Sequence, residues 1–458
     1  MKKKIILAAI IFMACAAITY RMVNQAPSAA FGPDKQMEQL LADGGCASCH
    51  TTNPKLPFYA KFPLVGSLVK RDAADGYRSF DIEPMNQAVS SGKSVGEVDL
   101  AKIEKVFEEG TMPMAKYYLV HWGASMTEEK TAIALNWIKE HRQAHYPNRL
   151  AANEFANETI RPIEKAITVD ARKVALGEKL YHDTRLSVDN TISCSTCHGL
   201  NTGGVDNKRF SEGVKGQIGG VNAPTVFNAH YNFVQFWDGR AATLAAQAGG
   251  PPLNPIEMGY ASFDDICSVF AEDKAFETLF KEVYPEGFTQ QSITDAIQEF
   301  ERTLLTPDSK FDLYLKGNKT ALTSEELHGY ELFKQHRCAT CHVGENLGGR
   351  SYELMGIKKD YFADRGTEIT IEDHGRYKET KETRDMHRFK VPGLRNIALT
   401  YPYFHDGSKA TLKEAVQDMA VYEVGKQLSE QETADIVAFL NTLTGKYNGQ
   451  LLTNENTK

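Results

Sequence analysis

The chain has 458 residues, of which 42% are hydrophobic and 24% are charged. This composition is that of an ordinary globular protein, long enough for about three domains with cores of their own. The formal net charge of -7 argues against nucleic acid as a partner, since no basic stretch with interleaved aromatic residues offsets it.

The first 22 residues predict a membrane-targeting segment. Three lysines at positions 2–4 precede sixteen mostly apolar residues, 5–20, and a basic start followed by an apolar helix directs the chain across the inner membrane. We interpret residues 1–22 as an uncleaved anchor. A removed signal peptide is the alternative, because sixteen residues are short for a membrane span. In both cases the rest of the chain lies on the periplasmic side.

Three copies of Cys-x-x-Cys-His predict three covalently bound c-type haems. The two cysteines can form thioether bonds to haem vinyl groups, and the histidine supplies one axial ligand to the iron. A zinc clip or a redox dithiol is the alternative for any single pair of cysteines, but neither uses the adjacent histidine. The three motifs are Cys46, Cys49 and His50; Cys194, Cys197 and His198; and Cys338, Cys341 and His342.

A small haem domain is predicted at residues 37–150, after a linker of small residues at 23–36. A short helix leads into the first haem motif, and a helix with a capping box from Ser125 to Glu128 closes the domain. Helices in these two places are typical of small cytochromes c.

The loop GTMPMAKYYLVHW of this domain offers a second ligand to the haem on His50. Met112 is the expected ligand and Met114 is the next candidate, because a thioether opposite histidine suits electron transfer. The alternative is that both methionines only fill gaps in the core.

The rest of the chain contains an internal repeat. PTVFNAHYNFVQFWDGRAATL at 224–244 aligns with PGLRNIALTYPYFHDGSKATL at 392–412 at a constant offset of 168 and without gaps. GEKLY at Gly177 and GYELF at Gly329 precede the two haem motifs in similar fashion. The repeat predicts two copies of one haem-binding domain. The predicted boundaries are 151–320 for the first copy, 321–446 for the second copy and 447–458 for a C-terminal tail.

The two copies differ in the residue that can reach the second face of the iron. Met419, on a predicted helix, is the expected ligand in the second copy, whereas the position 168 residues earlier is Pro251, which cannot bind iron. The first copy is predicted to have there a loop, AAQAGGPPLNPIEMG, that carries Gln247 and Glu257. Loops of this kind often carry function. The haem of the first copy is therefore predicted to keep one face open.

These motifs resemble those of the bacterial di-haem cytochrome c peroxidases. The similarity runs from about residue 160 to residue 446 through CSTCHG, PTVFNAHYNFVQFWDGRA, NPIEMG, CATCH, VPGLRNIALTYPYFHDGS and Met419. With a third haem domain behind a membrane segment, the whole chain is similar to the three-haem quinol peroxidases of Gram-negative bacteria. The resemblance implies a mainly α-helical fold with three cytochrome c-like domains, an N-terminal one and a duplicated di-haem peroxidase pair, behind a membrane helix.

The resemblance also implies roles for three residues of the first copy. Glu257 would be the acid–base group that takes a proton from bound hydrogen peroxide and returns it to the leaving oxygen. Gln247 would orient the peroxide by hydrogen bonding. Trp237 would lie between two haems on the path of the electrons.

A calcium ion and a set of partners are implied in the same way. Asn222, with the backbone carbonyls of Thr400 and Pro402, would bind Ca²⁺ between the two C-terminal domains, and oxygen ligands suit this hard cation. Ubiquinol or menaquinol would be the electron donor, with reduced cytochrome c as the alternative. The enzyme would be held at the periplasmic face of the inner membrane, with a homodimer possible.

One segment departs from the family pattern. In many relatives a histidine between the first-copy haem motif and PTV binds the resting iron. Here FSEGVKGQIGGVNAPTV places Val214 at that position and contains no histidine or methionine. Lys208 and Lys215 could bind iron in principle, but exposed lysines in a Gly-rich loop are usually solvated. We therefore predict an enzyme that is active when fully oxidised, without reductive activation.

Two other functions compete with a peroxidase. A multihaem electron carrier would have no use for Glu257 and Gln247 beside an open iron. A protein-modifying di-haem oxidase has a similar fold, but that group has tyrosine in place of Met419.

Overall fold

The structure is a computed structural model that describes residues 2–454. The fold is mainly α-helical, as predicted. The helices are α1 Lys2–Val23, α2 Pro33–Asp43, α3 Val65–Ser79, α4 Glu83–Ser90, α5 Glu97–Glu109, α6 Ala115–Tyr118, α7 Glu128–His145, α8 Ala171–Tyr181, α9 Cys194–Cys197, α10 Leu244–Ala248, α11 Phe263–Glu272, α12 Lys274–Lys281, α13 Gln290–Arg302, α14 Lys310–Leu315, α15 Ser324–Gln335, α16 Tyr361–Arg365, α17 Tyr377–Thr380, α18 Leu412–Met419 and α19 Glu430–Asn441.

Short strands form two antiparallel pairs. The strands are β1 Tyr352–Leu354, β2 Arg388–Lys390, β3 Lys446–Tyr447 and β4 Gln450–Leu451. β1 pairs with β2, with Glu353 opposite Phe389, and β3 pairs with β4. Both pairs lie in the second of two compact units, Met1–Pro147 and Asn148–Lys458, into which the chain separates.

Helix α1 is long and apolar enough to cross a membrane. Its 22 residues have a mean hydropathy of 2.1 over the apolar window, and none of that window is buried against the protein. At about 1.5 Å per residue the helix is about 33 Å long, which matches the hydrocarbon thickness of a bilayer. By length and composition it fits a membrane anchor, and a signal sequence passes the same test.

The first unit has a core formed by α2, α4, α5 and α7. Met37, Leu40, Met85, Leu100 and Trp137 are among the side chains buried in it. Helix α2 begins at Pro33, inside the segment 23–36 that the sequence analysis treats as linker. The ring of a proline presets the helical φ, so the first turn can begin at that position.

The boundary between the units lies at Pro147, three residues before the predicted end of the first domain. Asn148 explains the difference, because its side chain is buried in the second unit. Its Nδ2 donates hydrogen bonds to the carbonyl oxygens of Phe155 at 3.1 Å and Ile160 at 3.4 Å.

The second unit repeats one helix crossing. In the first copy, α8 packs on α13, and a Cβ atom added to Gly177 would lie 1.9 Å from Ala296 O. In the second copy, α15 packs on α19, and a Cβ atom added to Gly329 would lie 1.9 Å from Asp435 O. GEKLY and GYELF therefore place a glycine where two helix backbones touch. The two copies therefore share the same close helix crossing next to their haem motifs.

The two copies meet around one buried threonine. Nδ2 of Asn228 donates to Thr306 Oγ1 at 2.7 Å, and Nδ2 of Asn396, the matching residue of the second copy, donates to the same oxygen at 3.0 Å. Both asparagines have a left-handed backbone, with φ of 61° and 60°. Asparagine tolerates this conformation better than most residues. The repeated asparagine thus marks equivalent turns that lie on either side of Thr306.

Replacement of Gly177 by alanine is expected to destabilise the second unit by about 1–3 kcal/mol, because the new methyl group has no room unless the helices separate. Gly219→Ala is the matched control, since its Cβ atom would approach only Ser211 O, at 3.5 Å. Chemical denaturation followed by circular dichroism measures both changes. Equal stability of the two variants would contradict the close crossing.

Candidate active site

All three haem motifs form short helical turns. The turns are Cys46–Ser48, Cys194–Cys197 and Cys338–Thr340. Their six cysteines are half-buried and free of disulfide bonds. No disulfide therefore competes with thioether formation at these six sulfurs.

Two of the three motif histidines are held by hydrogen bonds to backbone carbonyl groups. Nδ1 of His50 lies 3.1 Å from Phe80 O, and Nδ1 of His342 lies 2.8 Å from Leu347 O. His198 Nδ1 is buried and has no hydrogen-bond partner within residues 2–454. Burial lowers the pKa of all three imidazoles. A neutral ring with its proton on Nδ1 presents Nε2 to iron, as haem ligation requires.

One buried lysine has no protein counter-ion within residues 2–454. Lys390, at the end of β2, is 5% exposed, and burial lowers its pKa to about 8. No carboxylate within residues 2–454 forms a salt bridge with its ammonium group. A buried cation requires a counter-ion, and a haem propionate would provide one. The sequence analysis missed Lys390, because a lysine in the segment FKVP is typical of an exposed position in a strand.

Glu257 lies in the turn that follows Pro255. Asn254 Nδ2 donates to Glu257 Oε1 at 2.7 Å. Burial raises the pKa of Glu257, while the nearby Arg240 cation and the Asn254 hydrogen bond oppose the rise. Glu257 is also among the charges that add to the effect of burial on Cys197, whose pKa is raised to about 11. The carboxyl group therefore lies near the first-copy haem motif, with a pKa closer to neutral than that of an exposed glutamate.

Gln247 lies on a helix, where the sequence analysis predicted a loop. Helix α10 begins after Thr243, whose side chain accepts a hydrogen bond from Ala246 N, as α18 begins after Thr411 in the second copy. It ends at Ala248 because two glycines and Pro251 follow. The Gln247 side chain is half-buried and makes no hydrogen bond within residues 2–454, so its amide is free for a ligand.

The loop around Val214 packs against the turn that carries Glu257. Val214 N donates to Glu257 O at 2.9 Å, and the Val214 side chain is 1% exposed. Gly213 touches the same turn, since a Cβ atom there would lie 2.0 Å from Ile256 O. Gln217 Nε2 donates to Pro255 O at 2.8 Å. These contacts hold the loop in one position, and neither histidine nor methionine occurs in it.

The lysines near Val214 do not pack into the protein. Lys215 is exposed, and Lys208 faces Glu212 at 3.9 Å across the surface. Both therefore lie as solvated side chains, as the sequence analysis expected of a Gly-rich loop.

Trp237 joins the two copies. Its indole Nε1 donates to Asn222 O at 2.8 Å, and its carbonyl oxygen accepts a hydrogen bond from Lys390 N of the second copy at 2.8 Å. The ring lies 6.3 Å from the ring of His405, in an edge-on orientation. An aromatic side chain in this position bridges the parts of the unit that carry the two haem motifs.

The residues predicted to bind calcium lie where the copies are joined. Asn222 N donates to His405 O at 2.8 Å, and Asn222 Nδ2 donates to Lys208 O at 2.9 Å. Asn207 Nδ2 donates to the carbonyl oxygens of Leu399 and Tyr401, on either side of Thr400. The Asn222 Oδ1 atom makes no hydrogen bond within residues 2–454.

The predicted methionine ligands lie in different environments. Met419 is half-buried at the end of α18, and Met112 is 36% exposed, whereas Met114 is half-buried. Met126 lies near the first haem motif, since a Cβ atom on Gly44 would lie 2.6 Å from Met126 Cε and 3.4 Å from Cys46 Sγ. The sequence analysis did not consider Met126, and no motif marks it.

Comparison with known proteins gives consistent matches. Residues 171–320 match the model of the di-haem cytochrome c peroxidase family, residues 5–140 match a haem-binding domain and residues 327–444 match cytochrome c. The chain is 51% identical over 408 residues to cytochrome c peroxidase Ccp of Escherichia coli K12, which covers 89% of this chain and 87% of that protein. It is 47% identical over 292 residues to cytochrome c551 peroxidase of Nitrosomonas europaea, and the match covers 63% of this chain and 85% of that protein.

Two solved structures are similar to the chain. A MauG-like protein associated with microbial copper homeostasis is 30% identical, with a TM-score of 0.54, and the match covers 62% of this chain and 93% of that chain. The diheme peroxidase BthA from Burkholderia thailandensis is 20% identical, with a TM-score of 0.53, and the match covers 65% of this chain and 92% of that chain. The second match supports the fold alone.

Proposed function

The chain belongs to the di-haem cytochrome c peroxidase family and is a multihaem peroxidase, and from this premise we propose that it reduces hydrogen peroxide with electrons from membrane quinol. The reaction takes place at the haem held by Cys194, Cys197 and His198. The observation that carries this assignment is the half-buried carboxyl group of Glu257 near Cys197, in the copy of the domain that has Pro251 where the other copy has Met419.

Glu257 and Gln247 act on the peroxide. When bound, the haem supplies the redox chemistry by which two electrons and two protons convert one hydrogen peroxide to two waters. Glu257 accepts the proton of the near oxygen and gives it to the leaving oxygen. Its raised pKa suits both steps, and the hydrogen bond from Asn254 at 2.7 Å fixes the carboxylate. The free amide of Gln247 holds the peroxide in place.

Trp237 and Met419 serve the delivery of electrons. Met419 would hold the haem of the second copy together with His342, and a thioether donor would suit a haem that transfers electrons at high potential. Trp237 bridges this copy to the first one through Asn222 O and Lys390 N. Its indole is therefore the path by which electrons leave the second copy.

A calcium ion supports this path. Asn222 Oδ1 and the carbonyl oxygens of Thr400 and Pro402 are oxygen donors of the kind that Ca²⁺ prefers. The backbone of Asn222 accepts the hydrogen bond of the Trp237 indole. An ion held there would therefore fix the position of the indole.

A third haem, held by Cys46, Cys49 and His50, links the peroxidase pair to the membrane. Met112 would be a further residue that holds this haem. Helix α1 anchors the enzyme to the periplasmic face of the inner membrane, and the donor is ubiquinol or menaquinol. A homodimer is the proposed assembly.

The choice of donor is tested by a direct comparison. Peroxide consumption by the full-length enzyme is measured with a ubiquinol analogue, with a menaquinol analogue and with reduced cytochrome c. We expect turnover with at least one quinol at a rate that exceeds the rate with cytochrome c. Turnover with cytochrome c alone would contradict quinol as the donor and would leave the peroxidase assignment intact.

A further inference from the structure

An open cavity of about 940 Å³ lies at the C-terminal end of helix α1. Tyr20 and Asn24 line it from the anchor, and Thr127, Glu128 and Glu129 line it from the start of α7. The small residues of the segment 25–29 form another wall. The cavity therefore combines the end of a membrane helix with two carboxyl groups of the haem domain.

The anchor is fixed to the haem domain at this point. Asn24 is 5% exposed, although it follows the last turn of α1 directly. Its Nδ2 donates to Trp122 O at 2.7 Å, and its Oδ1 accepts a hydrogen bond from Ser125 N at 3.1 Å. A buried amide with both ends satisfied fixes local geometry. The cavity is thus a defined site and not a gap beside a loose tether.

The surroundings of the cavity fit the surface of a membrane. Helix α1 is about as long as the hydrocarbon layer is thick, so its C-terminal end lies at one boundary. Leu119, Val120 and Trp122 are 78%, 62% and 47% exposed on the loop that binds Asn24. Exposed apolar and tryptophan side chains beside a membrane helix are typical of the interface between lipid and water.

Residues beside the cavity also lie near the first haem motif. Thr127 lines the cavity, and the side chain of Met126, its neighbour in the chain, approaches Gly44, as Cys46 Sγ also does. Tyr118 lies between the same groups. Burial raises the pKa of its phenol, its hydroxyl bonds the backbone of Met126, and Tyr20 and Cys46 are both close enough to add to the shift.

We propose that this cavity is the site at which an isoprenoid hydroquinone is oxidised. The proposal rests on quinol as the donor and adds to it the place of oxidation. The ring lies between Tyr20 and the first turn of α7, with its tail in the lipid beside α1. Both hydroxyl O–H bonds of the quinol break, and the two protons pass to Glu128 and Glu129 and then to water. The haem that Cys46, Cys49 and His50 would hold would accept the two electrons one at a time.

The experiment uses the full-length enzyme in lipid nanodiscs. An azido-substituted quinone is photolysed on the wild-type protein, and the labelled peptides are identified by mass spectrometry. We expect the label on residues 20–36 and 127–133. Label confined to other peptides would overturn the proposal.

Two variants test the same site by turnover. The double variant Glu128→Gln, Glu129→Gln removes the proton acceptors, and Ala26→Trp fills the cavity. For each we expect kcat/KM for a quinol analogue to fall by at least about tenfold, while peroxide reduction with a soluble one-electron dye stays within about twofold. Glu140→Gln, an exposed glutamate on the same helix outside the cavity, is the control and should change neither rate.

The outcomes separate this proposal from the choice of donor. Quinol turnover that survives in both variants would place the oxidation site elsewhere. A wild-type enzyme that reduces peroxide with the dye and oxidises no quinol would overturn the donor and this site together, and would leave the peroxidase assignment intact.

Discussion

Replacement of Glu257 by glutamine is expected to lower the rate of peroxide reduction by about 10²–10⁴-fold, because an amide cannot carry the proton between the two oxygens of the peroxide. The fold should tolerate the change, since the Asn254 amide can donate to the glutamine oxygen as it does to Glu257 Oε1. Steady-state peroxide consumption with an artificial donor measures the loss, and the haem content of the variant is checked by its absorption spectrum.

Glu212→Gln is the matched control for this variant. Glu212 lies in the adjacent loop, its side chain is 53% exposed, and its nearest cation is 3.9 Å away. A surface glutamate of this kind contributes little, so the rate should change by less than about twofold. A Glu257→Gln enzyme with the same rate as this control would show that proton transfer is done elsewhere.

The pH dependence of the wild-type enzyme follows from the environment of Glu257. Because burial raises its pKa, the base form is lost at a higher pH than for an exposed glutamate as the solution is made more acidic. The acid limb of the profile of kcat/KM against pH should therefore lie above the ordinary glutamate value, and it should disappear in Glu257→Gln. An acid limb that persists unchanged in the variant would assign it to another group.

Replacement of Val214 by histidine is expected to convert the enzyme into one that needs reductive activation. The new imidazole stands at the position from which a histidine binds the resting iron in many relatives, so it should bind the first-copy haem in the oxidised protein. Peroxide turnover of the oxidised variant should fall by about 100-fold. This loss corresponds to an excess of about 100 to 1 of the form with the histidine bound over the form with an open iron. Prior reduction of the second-copy haem should restore it.

Lys215→His is the control for this experiment. It places an imidazole one residue along the same loop, but on an exposed position. It should leave both the turnover and the spectrum of the oxidised protein unchanged. If Val214→His also leaves turnover and spectrum unchanged, this loop does not determine whether a side chain binds the iron of the first copy.

Sequence patterns predicted the parts of the structure that depend on local motifs. The haem motifs, the repeat at an offset of 168 and the difference between Met419 and Pro251 could all be read from the chain. The structure adds why the repeat keeps its glycines and asparagines. Gly177 touches a helix backbone, and Asn228 holds a left-handed turn against Thr306.

Features that depend on tertiary packing could not be predicted. Lys390 lies in a strand of three residues that are all buried, so no alternation of polar and apolar positions marks its burial. Met126 approaches Gly44, next to the first haem motif, although the two positions lie far apart in the sequence. Helix α10 could have been found, since Thr243 and Leu244 match the residues that start α18, but the run of glycine and proline after Gln247 suggested a loop.

The central claim is that no side chain of this protein binds the second face of the haem on His198. Electron paramagnetic resonance of the fully oxidised, full-length enzyme tests it most directly. The account predicts one high-spin ferric signal beside low-spin signals from the other haems, together with immediate turnover of peroxide by the oxidised enzyme. Three low-spin signals, with turnover only after prior reduction, would contradict it.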